Sequence, residues 1–536
     1  MRQRWGVILL VSVISFFTGG WLLQRGAAVS GNVYQSARLF DDVMSHVSEY
    51  YVDSLGEPKL YRMASDGLLE QLHDPYSVLL VGDDYKALTE TTTGNYGGIG
   101  IQIDVRDGWI TVVAPLPETP AERAGVQTGD RIIEVNDKPT KGWSSEQAVN
   151  VLRGEPGSTV RVKIHRAGID GPLDFELTRA EIHLRSVPEG TLFDDGVGYI
   201  SLNPVSESSA QELSDEITRM RSKGMKAMVF DLRQNPGGLL DQGVKVADLF
   251  LDPGEEIVAT RGRARGSSRK FMDDAGQRWP DMPIVVLVNE GSASAAEIIA
   301  GALQDHDRAV VVGAPTFGKG LVQTLFQLGD DVALKLTTAR WYTPSGRTIQ
   351  RTVSGEENQF QAALADNGDV RPGDDSTRPI FHTDAGRTVR GGGGIVPDIL
   401  VRPDSATAGE RAFIDAIGAK VPAYRDALTG YALALKEQGS ITSESFSVSP
   451  QMRQEFLRRL RARGIDIPES TLNGAGRFVD QNLGYEIARY VFGRQAEFRR
   501  RARDDDQVQT ALDLLRRART PKALLNITMA EVAPKQ

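Results

Sequence analysis

The 536-residue sequence contains no cysteine, which excludes disulfides, thiolate metal sites and a cysteine nucleophile together. Histidine is scarce, with six residues in the whole chain, and no His-Glu-x-x-His spacing of the kind a zinc peptidase uses occurs. Positive charge is in deficit: 62 Lys and Arg stand against 71 Asp and Glu, for a net charge of −9. A nucleic-acid partner, which needs clustered basic residues to displace phosphate counterions, is therefore not expected. The Arg clusters at 458–463 and 499–503 read as solvated helix faces. There is no internal repeat. Charge is also absent from Gly6 to Leu23, an apolar run with Arg2 and Arg4 before it and Arg25 after it. That pattern predicts a membrane or export segment whose basic side stays inside, placing the rest of the chain outside the cytoplasm. The run is long for a signal peptide and Ala27-Ala28 is a poor cleavage site, so the segment reads as a retained anchor in the inner, cytoplasmic membrane.

What is present is an ordinary globular composition, 40% hydrophobic and 25% charged, in a length that suggests three or four domains. Helical spacing of Leu39, Val43, Val47 and Tyr51, interrupted at Asp74-Pro75, marks a helical region over 31–95 after an anchor or signal segment at 1–30. Short β-branched runs then predict a β-module over 96–167, with strands at Ile99–Val105, Trp109–Val113, Arg131–Val135 and Thr159–His165. From 168 to 402, strands at Val197–Leu202, Ala227–Leu232 and Ile284–Val288 alternate with helical patterns, the signature of an α/β core. Residues 403–536 read as helical. The expected fold class is a multidomain α+β and α/β chain.

Three segments carry chemistry. Ser294 opens an apolar helical run directly after a strand. With Glu297 three residues on, it makes a capping box that needs no catalysis to explain it. The same position exposes helix N-terminal amides, among them Ala295, to any oxyanion formed at the hydroxyl. A serine needs a base, and His306, twelve residues along the same helix, would lie roughly 18 Å away. Lys319, between Gly318 and Gly320, is the other candidate. An ordinary lysine titrates at about 10.4, so holding it neutral at pH 7 costs roughly 4.6 kcal/mol, which is within reach of burial among apolar neighbours. Gln323, four residues on, is placed to hydrogen-bond that amine. Asp231 to Leu240, a strand end followed by Gly237-Gly238, offers either glycine as a second oxyanion donor. Gly313 to Lys319 also fits seven places of a phosphate-binding loop, but the eighth is Gly320 where a Ser or Thr must hold magnesium, and a strand-like stretch follows instead of a helix. A pure binding scaffold is disfavoured by the joint presence of Ser294 and Lys319.

In the β-module, Gly97-Gly98-Ile99-Gly100-Ile101 followed by Pro120–Val126, Gly129–Asn136 and a helix over Ser144–Arg153 resembles a PDZ domain. The resemblance implies that the amides of Ile99, Gly100 and Ile101 receive a peptide C-terminal carboxylate while the peptide adds as a strand. Asp231–Leu240, Gly291–Glu297 with Gly301–Asp305, Gly313–Gly320 with Gln323, and Gly393–Asp398 resemble the C-terminal processing peptidases, or tail-specific proteases, as do Tyr51-Val52-Asp53 and Asp74-Pro75-Tyr76-Ser77. The likeness spans roughly residues 35–402. It implies a serine endopeptidase with Ser294 as nucleophile, Lys319 as general base, Gln323 as its orienter, and Ala295 with Gly238, or its neighbour Gly237, as oxyanion donors. It also implies substrates recognised by their C-termini, no cofactor and no metal, and PDZ movement that aligns the dyad, with Arg153 as a contact for that switch. One departure is Ala296, where the family often has a second serine. The helices after Pro403 lie outside the likeness and are open to homo-oligomer or adaptor contacts.

Overall fold

The computed structural model describes residues 33–166, 168–351, 378–402 and 406–532. The apolar run Gly6–Leu23 lies outside them. Among the described residues no helix is long and apolar enough to cross a membrane. The chain divides into two compact units, Met1–Tyr85 with Gln323–Thr337, and Lys86–Val322 with Thr338–Gln536.

The first unit holds a helix over 33–50, a second over Glu57–Glu70 and a strand Val78–Val81. That strand runs antiparallel to Val332–Lys335. The Asp74-Pro75 punctuation is an Asx turn: Asp74 accepts from the Tyr76 amide and the Ser77 hydroxyl, and Ser77 Oγ in turn accepts from Thr337 N at 3.0 Å. The helical spacing of the leader produces a helix, yet Leu39 and Val43 stay exposed on it.

In the second unit the central sheet is parallel, with strands Val197–Ser201, Ala227–Asp231, Ile284–Val288, Val310–Gly313 and Ile399–Leu400 in that order and an antiparallel Thr191–Leu192 at one edge. Parallel strands buried on both faces read as near-continuous apolar runs, and the two-residue period divides their apolar side chains between the two faces. Met228, Phe230, Ile284, Val286, Val288 and Val311 pack under the helices Ser209–Ser222, Leu240–Asp248 and Ala295–Asp305. Ala227, Val229, Val285, Leu287, Val310 and Val312 face the other way, onto Ala502, Val508, Leu512, Leu515 and Leu524. The helical tail thus completes the core: its helices Asp506–Arg517 and Pro521–Val532 cover the second face of the sheet. Arg233, just past a strand end, fixes the junction by pairing with Asp231 and, at 2.8 Å, with Asp505, whose side chain caps the helix that follows.

The β-module is a separate sheet in the order Ile101–Arg106, Trp109–Pro115, Arg131–Val135, Thr159–His165, Leu173–Thr178, with Lys138–Pro139 beside the third. The module was expected to end at residue 167, but its sheet takes in Leu173–Thr178, paired along Thr159–Ile164. Chain entry and exit are sewn together by Asn95–Gly98 against Ala180–His183. The middle of the C-terminal tail has its own apolar core around Phe413, Leu428, Phe456, Leu460 and Leu483. It meets the tip of the first β-hairpin through ion pairs, Arg425 to Asp104 at 3.0 Å and Arg463 to Asp107 at 2.7 Å.

The far end of the helix Ala295–Asp305 is tied down by a fully buried ion pair: Arg347 Nη2 reaches Asp305 Oδ1 at 2.7 Å and Gln304 Oε1 at 2.8 Å. Removing one partner strands a buried charge, so Asp305→Ala should cost about 3–5 kcal/mol. Equilibrium urea unfolding measures it, and a loss below about 1 kcal/mol, the worth of a surface pair, would contradict the burial argument.

Candidate active site

Three neighbouring segments of the second unit converge where the parallel strands end. The first turn, from Ile284–Val288 into the helix, is knitted by Asn289, whose Oδ1 accepts from Gln234 N at 2.9 Å and Gly291 N at 3.1 Å. Ser292 secures it further by donating to Leu232 O at 2.8 Å. Ser294 then stands at the helix N-terminus with φ 53° and ψ −116°. Positive φ is rare outside glycine, and a residue held there stores on the order of 1–3 kcal/mol of strain that its surroundings must enforce. Here Ala293 N donates to Asn235 O at 2.9 Å and Ser294 N donates to Glu297 Oε2 at 2.8 Å, fixing the residue from both sides. The capping-box expectation is met in its carboxylate half, while the Glu297 amide bonds the Ser294 carbonyl at 2.9 Å.

Beside it runs Asn235-Pro236-Gly237-Gly238. Gly237 has φ 88°, and a Cβ there would come within 2.8 Å of Ser294 Cβ and 2.6 Å of Ala293 O. Only a glycine lets this backbone pass so close to Ser294. The buried Asn235 side chain accepts from Gly237 N at 2.9 Å and donates to Leu202 O at 2.7 Å. Among the described residues, the amides of Gly238 and Ala295 donate to no protein acceptor, whereas that of Gly237 is taken by Asn235.

The third segment leaves the strand Val310–Gly313 and returns past the helix start. Phe317 N donates to Ser292 O at 3.0 Å, and Thr316 N and Oγ1 bond Ile395 O and N. Gly394 has φ 80°, and a Cβ on it would strike Thr316 O at 2.4 Å, which accounts for the Gly-Gly-Ile run there. Lys319 is half-buried; its carbonyl accepts from the indole of the buried Trp341 at 3.0 Å. Gly318 N and Lys319 N donate to Glu297 at 2.7 and 3.0 Å, and Thr316 Oγ1 does so at 2.5 Å. Because Ser294 N and Lys319 N sit 2.8 and 3.0 Å from the same oxygen, they are less than 5.8 Å apart. Burial pushes the Glu297 carboxyl up, and the hydrogen bonds from Thr316, Lys319, Gly318 and Ser294 only partly pull it back.

Gln323 belongs to the other compact unit, on the strand Leu321–Gly329, and its Nε2 donates to Thr337 Oγ1 at 3.3 Å. In the β-module, the loop at Ile99-Gly100 is closed by Ala121 N and Leu116 N donating to their carbonyls, and Gly100, at φ 76°, lies where a Cβ would meet Thr119 at 2.3 Å. Among the described residues the amides of Ile99 and Gly100 bond no backbone acceptor, and Ile101 starts the edge strand. Arg153 follows the helix Ser145–Leu152. Its guanidinium pairs with Glu90 at 2.5 Å and lies over the Tyr96 ring, 4.4 Å from the centroid. The helix that carries Glu90 is bonded at its end to the core, Thr92 O accepting from Glu207 N at 3.0 Å.

His306, set aside as a base, caps the opposite end of the helix. There it meets Asp384 at 2.7 Å and Glu255 at 3.8 Å, the group among the described residues with a metal-like ligand set. The Glu256 carbonyl and the Asp384 carboxylate already satisfy both ring nitrogens. Glu297, Thr316 and Asn235 are the site residues that sequence reasoning did not single out in these roles. The available signal was a lone acid within the apolar run Ala295-Ala296-Glu297-Ile298-Ile299.

Gly237→Ala should push Ser294 from its enforced position and cut turnover about 100-fold, the cost of a displacement of roughly 1 Å. Steady-state kinetics on a folded, purified variant measures this; a change of less than about threefold would show that the close approach does not set the serine's placement.

Comparison with known proteins identifies the family. Residues 196–357 match Peptidase family S41 and residues 111–166 match the PDZ domain. The carboxy-terminal-processing protease of Bartonella bacilliformis is 39% identical over 354 residues, 64% of this chain and 81% of its own. The carboxy-terminal processing protease CtpA of Bacillus subtilis is 34% identical over 367 residues, 67% of this chain and 77% of its own. Among solved structures, a photosystem II D1 C-terminal processing protease shares 30% identity over 58% of this chain and 89% of its own, with a TM-score of 0.33. The chain belongs to the carboxy-terminal-processing protease family, and is a serine-type peptidase of family S41 with an embedded PDZ domain.

Proposed function

We propose that the protein is an extracytoplasmic endopeptidase in which Ser294 attacks the peptide carbonyl and Lys319 takes its proton. In this reading the amides of Gly238 and Ala295 hold the oxyanion, Lys319 returns the proton to the departing amine, and water then releases the Ser294 ester. The observation that carries the reading is the strained Ser294 at a helix N-terminus, beside two amides without protein acceptors and with the Lys319 backbone less than 5.8 Å away. A hydroxyl in that place has donors waiting for negative charge, which is the largest single contribution to acyl-transfer catalysis. Commitment of the Gly237 amide to Asn235 favours Gly238 as the second donor. Substrates are polypeptides whose free C-termini bind the loop at Ile99, Gly100 and Ile101 and extend along the edge strand Ile101–Arg106. Arg153 relays occupancy of that groove through Glu90 to the core.

The test is hydrolysis of peptides with free or amidated C-termini. Wild type should prefer the free carboxylate by about tenfold or more, a charge-assisted hydrogen bond's worth. Ser294→Ala and Lys319→Ala should abolish cleavage with the fold intact, and Arg153→Ala should lose the preference while still cleaving. Substantial hydrolysis by either dyad variant would reject the mechanism; equal cleavage of both peptides by wild type would reject C-terminal recognition. The location rests on the Arg-flanked run Gly6–Leu23. Protease accessibility of the catalytic region in spheroplasts checks it, and full protection would place it in the cytoplasm.

A further inference from the structure

Glu297 has no exposed surface, and its four hydrogen-bond donors divide evenly. Oε1 receives Thr316 Oγ1 and Gly318 N, and Oε2 receives Ser294 N and Lys319 N. A carboxylate offers about four lone-pair sites, so every acceptor position is filled and nothing remains for water. Three of the four donors are backbone amides, which cannot accept a proton in return, so the set suits an ionised carboxylate. An N-terminal cap would need only the Ser294 bond. The other three serve the segment that carries Lys319, reached across 19 to 22 residues of sequence. Thr316 Oγ1 also accepts from Ile395 N at 2.6 Å, so the clamp is braced from a third segment.

We infer that Glu297 is a positioning residue for the Ser294–Lys319 pair: one oxygen bridges the two backbones and sets their spacing, while the other holds the lysine segment against rotation. This rests on the dyad assignment above. Glutamine is the diagnostic replacement because it keeps the shape. It converts two acceptor sites into two N–H donors, which must then face backbone amides on at least one side.

The experiment is kinetics of Glu297→Gln in the full chain, beside Ser294→Ala and Lys319→Ala, with a fluorophosphonate reporting the reactivity of the Ser294 hydroxyl independently of any peptide. The expected result is a kcat about 100-fold lower, KM within about twofold because substrate contacts are untouched, and phosphonylation slowed in parallel. A kcat within threefold of wild type, with both dyad variants inactive, would overturn the inference and leave the dyad standing. Hydrolysis by Ser294→Ala would instead overturn the dyad. If Glu297→Gln does not fold, Thr316→Val decides: loss of one donor to Glu297, together with the acceptor for Ile395 N, should lower kcat about tenfold at unchanged KM, and an unchanged kcat would overturn the inference.

Discussion

The carboxylate of Glu297 sits where an ionised group is most costly, at zero exposure beneath the start of a helix. A charge in such a place survives only when its hydrogen bonds are complete, and here they are completed by the segments that chemistry would need to bring together. The arrangement turns an energetic liability into a geometric constraint. If the Ser294 turn or the Lys319 segment shifts, a buried acceptor is left empty, and the cost falls on the whole site at once.

The site also depends on close backbone approach. Gly237 passes Ser294 at a distance no side chain allows, and Gly394 does the same at Thr316. Both are the second line of support: glycines let strands touch, and the polar side chains of Asn235, Asn289 and Ser292 then bind the touching backbones. By contrast the β-module meets the C-terminal helices through partly exposed Arg–Asp pairs, each worth little alone. The packing around the site is apolar and glycine-dependent; the β-module is tied to the tail by ion pairs at its hairpin tip.

Much of this could be read in the sequence because strands buried on both faces leave uninterrupted apolar runs. Ile284–Val288 was legible to the residue for that reason, and Ala227–Leu232 to within one; Thr159–His165 was legible to the residue through its alternation of exposed and buried positions instead. Gly-Gly and Ser-Ala-Ser-Ala-Ala-Glu stood out as turn chemistry at strand ends. What sequence could not show was that Glu297 faces inward. A capping residue and a buried clamp share one spacing, and only the approach of Gly318 and Lys319, fixed by tertiary packing, tells them apart. The extension of the β-module to Leu173–Thr178 was hidden by the polar stretch before it, although that strand alternates exposed positions with Leu173, Phe175 and the buried Leu177. The tail read only as helical, since amphipathic spacing says that a face is covered but not by what.

That last element governs how such a protein can come into being. The helices over Val229, Val285, Leu287 and Val312 are translated after every strand they shield. Until they arrive, one whole side of the catalytic sheet is bare hydrocarbon, and a chain cut short before them would carry an aggregation-prone surface in place of a finished hydrolase. Ripening of the peptidase is thereby coupled to completion of its own synthesis.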